Sequence, residues 1–119
     1  MIEYKLGEVE MKFADIIWEN EPLSSGQLVK LCEEKLQWKK STTYTILRRV
    51  CERGLFKNED GMVSSNVTKM EFLSNKSEQF VEETFEGSLP QFLTAFASRK
   101  KLSEKEIVEI QRIIDANRG

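Results

Sequence analysis

The sequence predicts a mainly α-helical fold that carries one small β-hairpin, and three observations predict it. Apolar residues recur at helical spacing along most of the chain, as at Phe13, Ile16 and Ile17 or at Ile107, Ile110, Ile113 and Ile114. A Ser or Thr followed three residues later by Gln or Glu marks helix starts at Ser24, Thr68 and Ser103. A single Asp60-Gly61 pair separates two short runs of strand-forming residues, which is the signal of a tight hairpin.

Leu6, Val9, Phe13, Ile16 and Ile17 share one face and place a first helix over about residues 7–20, with Met11 and Trp18 at its edge. Glu21-Pro22 ends it, because proline drives the residue before it out of helical geometry. Ser24 caps a second helix, with Leu28, Leu31 and Cys32 as its apolar face and an end near Leu36-Gln37. Ser41 is the expected N-cap of a third helix. There Ile46, Leu47, Val50 and Cys51 face the core, and Gly54 supplies the left-handed residue that closes it. Residues 55–58 and 62–67 are the two expected strands. Three helices followed by a hairpin is the order of a winged helix-turn-helix, expected over residues 1–67.

The remainder, 68–119, is expected to be a helical dimerisation region. Thr68 starts a long helix punctuated by Phe72, Phe80 and Phe85 and reaching Gly87. Ser88-Leu89-Pro90 starts a second, lined by Leu89, Phe92, Leu93 and Phe96. After the basic break Arg99-Lys100-Lys101, Ser103 opens a last helix with Ile107, Ile110, Ile113 and Ile114 turned inward. Two short helices cannot hide that much apolar surface from water by themselves, so these eight residues are the expected homodimer interface.

Composition limits the function. Of 119 residues, 39% are hydrophobic and 32% charged, a balance typical of soluble globular chains. No apolar run approaches the roughly 18 residues of a membrane span, and the first residues lack a basic-then-apolar signal. A cytoplasmic protein without membrane insertion is therefore expected. The chain has no His and only two cysteines, Cys32 and Cys51, which are expected to be buried thiols. No metal-ligand set and no nucleophile–His pair can be assembled, so no catalytic residue, metal or cofactor is expected. Trp18 and Trp38 read as packing residues.

The charge distribution points to nucleic acid although the net charge is only −2. Residues 27–57 hold eight cations against three carboxylates, a net +5 that leaves −7 for the rest. Phosphate neutralisation needs such a local patch, not a high overall pI. Within it the third helix offers Ser41, Thr42, Tyr44, Thr45 and Arg48 on its polar side. Short hydroxyls at the start of a helix can meet base edges in a major groove, and Arg48 one turn on reaches a guanine or a phosphate. Lys39 and Lys40 just before it are placed to clamp phosphates of double-stranded DNA, and Lys57 on the hairpin to touch backbone. Glu59 and Asp60 make the hairpin tip acidic, which argues against the tip reading bases. The alternative is a winged helix that binds another protein. An acidic third helix would favour it, and Lys40 and Arg48 argue against it.

The chain resembles the penicillinase-repressor family (BlaI/MecI-type) of winged-helix transcriptional repressors. The resemblance is carried by Leu6-Gly7-Glu8-Val9-Glu10, Ile17-Trp18, the run from Thr42 to Arg49, Arg53-Gly54, Phe85-Glu86-Gly87-Ser88-Leu89-Pro90, and Leu102-Ser103-Glu104-Lys105-Glu106-Ile107. It implies a homodimer on an inverted-repeat operator, the C-terminal helices making the dimer. It also implies repression of a β-lactamase or related resistance operon, and a membrane-bound sensor-protease that relieves it. By the same resemblance Ser41, Thr42, Tyr44 and Thr45 fall on base-facing positions. Family members inactivated by proteolysis carry an Asn-Phe bond in the penultimate helix, where this chain has the candidate cleavage bond Ala95-Phe96. The copper-responsive branch has a cysteine-rich tail, where this chain reads Asp115-Ala116-Asn117-Arg118-Gly119, so metal sensing is not expected.

Overall fold

Helix starts fall largely where capping residues stand. In the computed structural model, which describes all 119 residues, α1 spans Glu8–Asn20, α2 Ser25–Leu36, α3 Lys40–Glu52, α4 Lys69–Phe85, α5 Leu89–Arg99 and α6 Glu104–Ala116. Three strands, β1 (Leu23–Ser24), β2 (Phe56–Glu59) and β3 (Met62–Ser65), complete the fold. The chain forms two compact units, Met1–Ser77 and Glu78–Gly119.

In the first unit, α1 ends at Asn20 and Glu21 is extended (φ −71°, ψ 148°), as the following proline requires. Ser24 and Gln27 exchange bonds of 3.1 and 2.9 Å, so the expected capping box opens α2. Asp60 and Gly61 have φ of 51° and 83°, the two left-handed residues of a tight hairpin turn. The sheet differs from the expected hairpin by one strand. β1 pairs antiparallel with β3 through Leu23↔Val63 and Ser24↔Met62, giving the order β1-β3-β2. Two residues are too few to show alternation in a sequence, and only the fold brings them beside β3.

The core is built from Phe13, Ile17, Leu28, Leu47, Val50, Phe56, Val63 and Phe72, with Cys32 fully buried among them. Val9, expected inside, is 54% exposed, and Ala14 is buried in its stead. α1 packs against both α2 and β3, which broadens its buried face around Phe13 and Ala14 and leaves Val9 outside. Trp18 packs on Phe56 and Phe72 (centroids 5.4 and 5.9 Å) and its indole N–H donates to the Val67 carbonyl at 3.0 Å. Trp38 stacks on Phe13 at 5.6 Å. Both tryptophans are therefore packing residues, and burial pushes the Cys32 and Cys51 thiols up from their ordinary range.

In the second unit, Glu86 and Gly87 take φ of 52° and 82°, and the Gly87 N–H closes back on the Val81 carbonyl at 3.1 Å. The Ser88 hydroxyl caps α5 and a Ser103/Glu106 box opens α6. Phe80, Phe85 and Phe92 meet edge to face at 5.6–6.0 Å, and Phe96 lies 6.2 Å from Phe92. Ile107, Ile113 and Ile114, expected to turn inward, are exposed on the single chain, and Ile110 is half-buried. A unit of 42 residues has too little interior to enclose that face.

Candidate nucleic-acid interface

The connection from α2 to α3 is three residues long, and its geometry sets where the third helix begins. Gln37 adopts the left-handed conformation (φ 55°) and its N–H returns to the Glu33 carbonyl. Trp38 is then drawn onto Phe13, and helical geometry resumes at Lys40 with Lys39 as N-cap. Ser41 is thus not the cap expected from the sequence but a residue of the first turn. Its hydroxyl is freed from capping, and no side chain caps α3, so the amides of its first turn stay available.

Leu47 and Val50 turn inward, joined by Thr43 at 1% exposure, which the apolar pattern could not reveal. The opposite face carries Ser41, Thr42, Thr45 and Arg48, all exposed, with Lys39 and Lys40 exposed at its head. The structure therefore collects on one helix end seven of the eight residues expected to meet DNA, since Tyr44 stands beside them half-buried. Two hydroxyls already have partners. Thr45 donates to the Ser41 carbonyl at 2.9 Å, and Tyr44 donates to the Ser25 hydroxyl at 3.2 Å. Positive potential and unbonded amides at one helix end suit an anionic polymer.

Lys57, the eighth, lies apart on β2 and its ammonium sits 3.6 Å from the Glu59 carboxylate. Arg53 belongs to the basic stretch in sequence but not to this surface. Its guanidinium donates to Glu10 at 2.8 Å and to the Lys5 carbonyl at 3.0 Å. That hydrogen bond holds the Glu10 carboxyl below its ordinary value. A shallow cavity of about 290 Å³ separates α3 from the hairpin, lined by Tyr44, Leu47, Arg48, Cys51 and Asn58. Ser25, which holds the Tyr44 hydroxyl, was missed in the sequence, where its only mark is standing beside the capping Ser24. No cluster of His, Cys, Asp and Glu suitable for a metal ion is present.

In the second unit, Leu89, Phe96, Ile107, Ile113 and Ile114 are exposed, and Phe92, Leu93 and Ile110 are half-buried. Ala95 and Phe96 lie within α5, both exposed on the single chain, with the Ala95 carbonyl accepting from Ser98 at 2.7 Å.

The penicillinase repressor family model matches residues 6–116. The chain belongs to the penicillinase repressor family. It is therefore a transcriptional repressor by family and not an enzyme. The penicillinase repressor of Bacillus licheniformis is 22% identical over 119 residues, covering 97% of this chain and 93% of that one. The methicillin resistance regulatory protein MecI of Staphylococcus aureus (strain Mu50 / ATCC 700699) is 22% identical over 116 residues, 94% of each. Among solved structures, the solution structure of the DNA binding domain of the repressor BlaI superposes with a TM-score of 0.53 at 18% identity. It covers 58% of this chain and 90% of that domain. That likeness shows a winged helix over the part of this repressor that it covers. No helix of the repressor is long and apolar enough to cross a membrane.

Proposed function

We propose that this repressor binds double-stranded operator DNA sequence-specifically through α3, acts as a homodimer on an inverted repeat in the cytoplasm, and controls a β-lactamase or related resistance operon. The observation that carries the reading is the uncapped start of α3, with Ser41, Thr42 and Thr45 exposed behind Lys39 and Lys40. Hydroxyls and a threonine methyl read base edges there, and the lysines neutralise phosphates. The operon is inferred from the penicillinase and methicillin-resistance regulators to which the chain is similar.

The exposed apolar residues of α5 and α6 support two-fold pairing, and a symmetric dimer would present two α3 helices to the two half-sites of an inverted repeat. Relief by a membrane-bound sensor-protease acting near Ala95-Phe96 completes the reading. That bond is helical, so cleavage needs local unfolding of α5.

The test is a gel-shift with the DNA upstream of the repressor's own gene. Thr45→Ala should weaken specific binding by about 1–3 kcal/mol and spare non-specific binding. Lys40→Ala should weaken both and shallow the salt dependence. Equal loss of both affinities in the two variants would overturn this division between base-reading and phosphate-holding residues.

A further inference from the structure

Ser25 is the first residue of α2 and touches two other elements. Its backbone N–H, which a first-turn residue does not use within its own helix, donates to the Gly61 carbonyl in the hairpin turn at 2.8 Å. Its hydroxyl oxygen accepts from the Tyr44 hydroxyl at 3.2 Å, across 19 residues of sequence. The turn lies close, for a methyl group added at Gly61 would stand 4.0 Å from the Ser25 oxygen.

The consequence for Tyr44 is chemical as well as geometric. Ser41, Thr42 and Thr45 are short and follow the backbone, whereas a tyrosine ring swings on two torsions and needs an anchor to point one way. A phenol is both donor and acceptor. A phenol is the more acidic of the two hydroxyls and the poorer acceptor, so its one proton goes to Ser25 and Tyr44 has only lone pairs to offer outward. Such an oxygen pairs with an amino group on a base edge, adenine N6 or cytosine N4, and meets a guanine O6 or thymine O4 as two facing acceptors.

We propose that Ser25 is a positioning residue for DNA recognition: it fixes the Tyr44 phenol as an acceptor and so makes this repressor prefer an amino-bearing base at the position Tyr44 faces. Ser25 itself reads no base. The inference rests on α3 being the DNA-reading helix.

The test uses the full-length repressor and selection from a randomised duplex library, followed by sequencing. Non-specific affinity is measured on poly(dI-dC) and stability by thermal melting. Ser25→Ala leaves the backbone link to Gly61 in place and removes only the acceptor for Tyr44. It should relax the adenine-or-cytosine preference at one position of each half-site by about two- to tenfold, the range of one net hydrogen bond. Tyr44→Phe should relax the same position, the double variant should lose no more than either single one, and Ser25→Thr should restore the preference. Preferences elsewhere and affinity for poly(dI-dC) should hold. A purely structural Ser25 would instead lower the melting temperature and weaken all sequences alike, which overturns the proposal. Unchanged base preference in Ser25→Ala, with the wild type selective, overturns it alone. A wild type that selects no sequence removes the DNA reading and this proposal with it.

Discussion

The Arg53 guanidinium stands 2.8 Å from the Glu10 carboxylate, joining the end of α3 to the first turn of α1. The same nitrogen also donates to the Lys5 carbonyl, so one side chain ties down the segment that leads into α1. Both side chains are largely buried, at 22% and 16% exposure, and neither is free to serve a surface role.

This pair should make the stability of the repressor depend on acid pH. The Arg53 hydrogen bond lowers the Glu10 carboxyl in the folded state. Its contribution is complete above the unfolded carboxyl's range, about 4.3, and is lost as pH falls through the lowered folded value. Glu10→Gln should cost about 1–2 kcal/mol in urea unfolding at pH 7, followed by tryptophan fluorescence. The gap from wild type should narrow below about pH 4. A gap independent of pH would show that the charge of Glu10 does not matter.

On the hairpin, the Lys57–Glu59 contact is exposed at both ends and should add little to stability. It does occupy the one cation of the wing. Glu59→Gln should leave unfolding within about 0.5 kcal/mol of wild type. It should tighten non-specific DNA binding and steepen the salt dependence by up to about 0.9 per released lysine. An unchanged salt slope would place the wing off the DNA.

Assembly is checked at Ile113, which is 62% exposed and therefore replaceable without disturbing the single chain. Ile113→Asp should keep the helical circular dichroism of wild type and sediment as the 13.8 kDa monomer, while wild type sediments at twice that mass. A variant that stays dimeric at micromolar concentration would move the interface away from α6.

A chain ending at Ala95 lacks Phe96 and all of α6. It should be monomeric and lose operator binding, because a dimer's second half-site engages at high effective concentration and a monomer's does not. The winged helix should still melt cooperatively, its core being complete by Phe72. Full operator affinity in the truncated chain, read by gel-shift, would refute release by dimer opening.

Signals confined to a few neighbouring residues were legible in the chain. Ser24/Gln27 and Ser103/Glu106 cap their helices as read, and Asp60-Gly61 turns the hairpin. The polar face of α3 was legible too, because helical periodicity separates Leu47 and Val50 from Ser41, Thr45 and Arg48. What depended on distant partners was not. β1 exists only because the fold lays Leu23 beside Val63, and α1, packed on both α2 and β3, buries Ala14 and leaves Val9 exposed. α3 starts at Lys40 and not Ser41, behind a left-handed Gln37 and a Trp38 stacked on Phe13 of another helix. Arg53 leaves the basic patch for Glu10, and Ser25 meets Tyr44 and Gly61, through contacts that no local pattern encodes. Capping, turns and periodicity are energies of adjacent residues and are written in order along the chain. Strand pairing, ion pairing and the anchoring of a side chain are energies between residues far apart in sequence, and tertiary packing alone selects among their many candidate partners.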